Sequence, residues 1–126
     1  MLNDQPIRPT IPAADLDRAK RFYQDTLGLK IAEEREDGIA FESGETTFYV
    51  YPSAFAGTSQ ATLAGWMVSD LEGTMADLRE RGITFEEYDM PGLKTVDGVA
   101  ETETVRGAWF KDSEGNILAV AQDKSA

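Results

Sequence analysis

The 126-residue sequence has no cysteine and no histidine. The first absence excludes disulfides, thiolate nucleophiles and sulfur metal ligands, and leaves no sign of an oxidising compartment. The second removes the commonest general base and the commonest transition-metal ligand, so any catalysis must rest on carboxylates, tyrosine, lysine or arginine. Positive charge is scarce as well. Twelve basic against 23 acidic residues give a formal charge of −11, a field that repels nucleic acid and anionic membrane and favours cationic partners. No apolar run approaches the ~20 residues of a membrane span, and Met1-Leu2-Asn3-Asp4-Gln5 lacks the basic and apolar regions of a signal peptide. The expectation is a cytoplasmic protein with no nucleic-acid or membrane partner, long enough to bury the core of one domain.

What is present is a repeat. Residues 11–31 read as strand end, capped helix, stop and next strand, and the pattern returns about 55 residues later from Met67 to Ile83. Asp15 and Asp70 can each accept a hydrogen bond from the free N–H groups of a helix start, while Asp17 and Glu72 place negative charge at the positive end of the dipole. Leu16, Ala19, Tyr23 and Leu27 share one helical face with Phe22 beside them, as Leu71, Met75 and Leu78 do in the second copy. Gly28 and Gly82 follow the last turns, where a left-handed residue ends a helix.

Strands are expected at 7–12, 29–33, 38–42 and 46–51, then at 61–68, 83–88, 106–111 and 116–122, with a small polar connection from Pro52 to Gln60. The chain is thus read as α+β: two tandem β-α-β-β-β modules, about 1–56 and 61–126, in one domain. The copies differ between Asp89 and Glu103, where the second carries an irregular stretch, expected to be either a binding lid or a surface excursion. Trp66 and Trp109 are both expected to face the helices as core.

Several features together resemble the vicinal oxygen chelate superfamily of glyoxalases, extradiol dioxygenases, fosfomycin-modifying enzymes and bleomycin-binding resistance proteins. They are the paired modules, the Asp-Leu helix starts, Phe22-Tyr23 followed by Leu27-Gly28-Leu29, and the terminal run from Phe110 through Asp112-Ser113-Glu114-Gly115-Asn116 to Leu118. The resemblance implies curved mixed sheets around a cleft, homodimers and, in the metal-using members, a divalent ion held by His or Glu. At the corresponding positions this chain has Arg8, Leu63 and Ala119, and the fourth falls within 46–51, which contains no His, Asp or Glu. An ion needs three or four N, O or S ligands, and an arginine at one corner adds repulsion. No metal and no cofactor are expected.

Carried over to this sequence, the inward positions are Arg8, Thr10, Tyr49, Tyr51, Leu63, Gly65 and Ala119, with Tyr88 and Met90 flanking the loop and able to close over a ligand. That lining suits a flat hydrophobic or aromatic small molecule, and the net charge adds a preference for a cationic one. The parity of 46–51 leaves Tyr49 as either lining or core. Arg8 either grips a ligand carboxylate or phosphate bidentately or pairs with Glu101 or Glu103.

Three functions follow. The leading one is metal-independent sequestration of a hydrophobic or aromatic small molecule, as the resemblance to bleomycin resistance proteins implies. The alternative is a glyoxalase- or dioxygenase-like lyase or oxidoreductase with a non-standard or absent metal site, drawing its acid–base groups from Glu101, Glu103 or Tyr88, although no motif assigns a catalytic residue. The third is an interaction subunit with no ligand.

Overall fold

In the computed structural model, which describes residues 1–125, both helices start on their aspartates. Helix α1 (Leu16–Arg21) opens where the Asp15 carboxylate accepts the Arg18 N–H at 3.0 Å, and α2 (Leu71–Glu80) where Asp70 accepts the Gly73 N–H at 3.0 Å. The first helix departs from the expected uniform spiral. It passes into a π-helical turn, Phe22–Thr26, in which the Leu27 N–H reaches back to the Phe22 carbonyl at 3.0 Å. Tyr23 within that turn is fully buried, while Leu16 and Leu27 pack at the margin of the core. Gly28 and Gly82 adopt φ of +72° and +95°, the left-handed stops that a side chain would strain. No helix among the described residues is long and apolar enough to cross a membrane.

The first sheet runs in the order β1 (Thr10–Ala13), β4 (Thr46–Pro52), β3 (Gly38–Ser43), β2 (Lys30–Arg35), parallel at β1–β4 and antiparallel elsewhere. The second sheet repeats that order as β5 (Thr62–Met67), β10 (Ile117–Asp123), β9 (Val105–Lys111), β8 (Ala100–Glu101), again parallel only at the first pair. The fold is therefore α+β, two mixed four-stranded sheets with two helices, as the module repeat requires. Period-two alternation sends Ile11, Ile39, Phe41, Phe48 and Val50 of one sheet, and Ala108, Phe110, Leu118 and Val120 of the other, into a single core with Tyr23, Leu71 and Met75.

The expected elements differ in three places. The strand at 7–12 begins only at Thr10, and Ile7 stands 95% exposed. Residues 83–88 form no strand: Phe85 alone bridges to Phe110, the Glu86 N–H reaches the Trp109 carbonyl at 2.8 Å, and the short β8 takes the rest of that edge. The stretch 89–103 is not irregular throughout, because β6 (Asp89–Met90) and β7 (Leu93–Lys94) pair as a hairpin around Pro91-Gly92.

The turn between β9 and β10 locks the modules together. Tyr23 donates its hydroxyl to Asp112 Oδ2 at 2.5 Å, while Asp112 Oδ1 accepts the Glu114 and Asn116 N–H groups, both at 2.9 Å. Asn116 donates to the Pro12 carbonyl at 2.8 Å and accepts the Gly57 N–H at 3.0 Å. The Glu114 carboxylate accepts the Asp15 N–H at 2.8 Å and the Arg18 guanidinium at 2.8 and 3.1 Å. Burial pushes the Glu114 carboxyl up, but the donors from Arg18, Asp15 and Ser113 outweigh it and hold the group down at about 2. Burial, followed by the charge of Asp112, pushes the Tyr23 phenol up, so it remains a donor.

Two outcomes follow. Tyr23→Phe leaves a buried carboxylate oxygen one donor short, which costs about 1–3 kcal/mol and appears in urea melts as a lower midpoint with an unchanged slope. Glu114 is depressed in the folded state relative to ~4.3 in an unfolded chain, so its contribution is complete above that pH and is lost as the pH falls toward 2. Between about pH 5 and 2.5 the wild-type midpoint should therefore fall more steeply than that of Glu114→Gln; parallel curves would show that the ion pair contributes nothing.

Candidate functional site

On each sheet the strand residues that skip the core form an open face turned away from the helices. In the second sheet Gly65, Ala119 and Trp109 are register partners across β5, β10 and β9. Two small residues beside the indole let it cross β10 and donate its N–H to Thr62 Oγ1 at 3.2 Å. This corrects the expectation that Trp109 is core: Ala108 and Phe110 are the buried residues, and the pleat turns Trp109 to the opposite face. Trp66 does pack against the core, stacked on Phe110 with centroids 6.4 Å apart and its N–H on Ser43 Oγ at 2.8 Å.

Trp109 lines a cavity of about 700 Å³ together with Tyr88, Met90, Leu93, Thr62 and Ile117. The Tyr88 ring meets the indole edge to face, with centroids 5.7 Å apart and planes at 77°. The β6–β7 hairpin brings Met90 and Leu93 to this space, and its base is tied down. Thr95 donates its hydroxyl to Glu87 at 2.6 Å and accepts the Tyr88 N–H at 2.8 Å, while Glu87 also accepts the Gly98 N–H at 2.9 Å. Those bonds, Thr95 first, hold the Glu87 carboxyl below its usual range. Burial raises the Tyr88 phenol, so it enters the cavity neutral. At the rim Glu86 pairs with Lys111 at 3.5 Å.

In the first sheet Phe48 and Val50 are buried, which turns Tyr49 and Tyr51 to the open face, with Thr10 opposite Tyr49 in register and Pro12 opposite Tyr51. The Tyr49 ring lies against Gly38, where a Cβ would come within 2.4 Å of Cζ, and its hydroxyl donates to Asp37 at 3.1 Å. Burial, then the Asp37 bond, raises the Tyr49 phenol. The Arg8 guanidinium sits over this ring, 4.6 Å from its centroid. Arg8 does not pair with Glu101 or Glu103. Glu101 takes Lys124 at 2.5 Å and Arg106 at 3.7 Å, and Glu103 is exposed.

The expected lining is thus divided. Arg8, Thr10, Tyr49 and Tyr51 belong to the first sheet and do not line the cavity beside Trp109, whereas Tyr88 and Met90 do. Gly65 and Ala119 share the register of Trp109, and Leu63 falls unpaired at the shift between β5 and β10, half-buried. Sequence reasoning missed Trp109, Leu93 and Thr62; strict alternation with Phe110 was the signal that placed Trp109 on the open face. The residues at the superfamily's metal positions do not fit an ion. A guanidinium, an isobutyl group and a methyl group supply no ligand, and among the described residues no group of three or more His, Cys, Asp or Glu is placed to hold one.

No curated protein matches the chain. Residues 7–44 match the family Ble-like_N, described as bleomycin resistance protein-like N-terminal. Solved structures resemble it over most of its length. A glyoxalase/bleomycin resistance protein/dioxygenase from Alicyclobacillus acidocaldarius is 20% identical, covering 98% of this chain and 96% of that one with a TM-score of 0.71. A lactoylglutathione lyase from Agrobacterium tumefaciens is 15% identical, covering 94% and 93% with a TM-score of 0.71. TnmS3, an antibiotic binding protein from Streptomyces sp. CB03234, is 20% identical, covering 91% and 92% with a TM-score of 0.64. At these identities the likeness is one of fold, shared by an enzyme and a binder alike. The chain shares the fold of these glyoxalase/bleomycin resistance protein/dioxygenase structures, and residues 7–44 of it match the bleomycin resistance protein-like N-terminal family.

Proposed function

We propose that the protein binds a flat hydrophobic or aromatic small molecule without a metal, holding it rather than transforming it. The observation that carries this reading is the Trp109–Tyr88 pair lining a cavity bordered by Met90 and Leu93. Two rings at right angles offer both a stacking surface and an edge, and the volume is that of a small-molecule pocket. The match of residues 7–44 and the name of TnmS3 as an antibiotic binding protein support the same direction. An enzymatic reading finds no acid–base pair to rest on among the described residues near the cavity. Beside it Glu86 is paired with Lys111 and Glu87 is bonded to Thr95 and Gly98, and Glu101 lies away from it on β8, paired with Lys124.

The reading includes a homodimer. Among the described residues β1 pairs only with β4, and β5 only with β10, so each sheet has an unpaired edge there of the kind proteins cover. Ile7 and Met67, 95% and 67% exposed, lie beside those edges. A second copy covering them would set the open face of one first sheet against the open face of the other's second sheet, completing a cleft from two halves.

Thermal-shift measurements with flat aromatic compounds, with and without EDTA, test the binding. Ligand at 100 times its dissociation constant adds about 2.7 kcal/mol, which moves the melting midpoint by several degrees. The expected result is a shift indifferent to EDTA and lost in Trp109→Ala and in Tyr88→Ala, each confirmed folded by circular dichroism; shifts that require a divalent metal would favour the enzymatic alternative. Light scattering should give twice the 13.8 kDa chain mass and the single mass for Met67→Glu, whereas a monomeric wild type would refute the shared cleft.

A further inference from the structure

We infer that the ligand carries an oxyanion, a carboxylate or its like, and that Arg8, brought to the Trp109 cavity on the first sheet of a second copy, is the residue that selects it; the inference rests on the proposed aromatic-binding cleft shared by two copies. The chain has nearly two acidic residues for every basic one, so an arginine without a carboxylate needs a reason. Among the described residues every lysine and arginine except Arg8 and Arg21 has a carboxylate or carbonyl partner, and Arg21 is exposed on α1. Arg8 is held by a ring instead.

That hold is built from several parts. Gly38 leaves the space the Tyr49 ring occupies, Asp37 accepts its hydroxyl, and Arg8 lies over the ring. A guanidinium held over a ring face makes no hydrogen bond there and keeps its N–H fork available, and that fork matches the two oxygens of a carboxylate. The neighbouring polar groups are hydroxyls, which can donate to an oxyanion. The Thr10 and Tyr51 hydroxyls have no hydrogen-bond partner among the described residues, whereas the nearby carboxylates are engaged, Asp37 by Tyr49 and Glu33 by Arg35. On this face the guanidinium is a fixed cationic donor and the two free hydroxyls can turn to donate beside it. The net charge of −11 favours cations at a distance, but that field is screened beyond about 10 Å at moderate salt, and at contact the free guanidinium decides.

The test compares three probes of one shape by calorimetry and tryptophan fluorescence: 2-naphthoate, 2-naphthamide and 2-naphthylmethylammonium. A charge-assisted bidentate contact predicts that the carboxylate binds about tenfold or more tighter than the amide. Arg8→Gln should abolish that preference, weakening the carboxylate far more than the amide, and Arg8→Lys should restore only part of it, since a point charge lacks the fork. Equal affinity for carboxylate and amide, tighter binding of the ammonium, or a preference that survives Arg8→Gln would each overturn the inference while leaving the aromatic site standing. Failure of all three probes to bind would instead remove the aromatic site and this inference with it.

Discussion

A carboxyl group placed in a protein interior is costly unless hydrogen-bond partners surround it. Asp112 occupies that position, and its partners are what make two modules into one structure. It takes the Tyr23 hydroxyl from the first module and three donors from its own turn, two backbone N–H groups and the Asn116 amide. The same turn sends Asn116 to β1 and to the connection at Gly57, and sends Glu114 to the start of α1. The closing strand serves the other helix as well, because Gln122 of β10 accepts the Leu71 N–H at 2.8 Å. Both helices therefore begin against groups supplied by the end of the chain. The bonds that leave the turn and the last strand, to Tyr23, Pro12, Gly57, Asp15 and Leu71, cannot form until the end of the chain is in place, so the packing of each module depends on the completion of the other.

How much of this was legible depended on whether the controlling interaction was local. The two aspartate caps, the two glycine stops and the alternation along 38–42 and 46–51 depend on neighbours a few residues away, and their patterns are visible in the chain. The π-helical turn at Phe22–Thr26 has no comparable signature, since what it achieves is the aim of Tyr23 at a carboxylate 89 residues later. Residues 83–88 alternate like a strand, yet only Phe85 bridges β9, whose edge beside Gly107 and Arg106 is held by Ala100 and Glu101. The hairpin at 89–94 depends on Thr95 and Glu87 meeting side by side, a contact between two unremarkable polar residues. Arg8 was weighed against carboxylates because charge seeks charge. Register placed an aromatic ring beside it instead, through the pairing of Thr10 with Tyr49.

The two open faces are chemically unequal although their strand orders are the same. On the second sheet the exposed side is indole, phenol and thioether with its ionic groups already paired. On the first it is a guanidinium and hydroxyls with its carboxylates already used. The same strand order serves both frames, and their outward positions carry different chemistry while the inward positions meet in one core. Selectivity in such a fold resides where packing does not constrain the side chain.

The β6–β7 hairpin carries that separation furthest. Its base is secured by Thr95 and Glu87, while its tip, Pro91-Gly92, lies outside the buried core. Residues can be inserted, removed or exchanged there with little consequence for folding, because loop closure costs grow slowly with length. Mutational drift at this one protrusion can alter which molecules are admitted while the frame beneath it is inherited unchanged, so closely related chains can diverge in ligand range long before they diverge in stability.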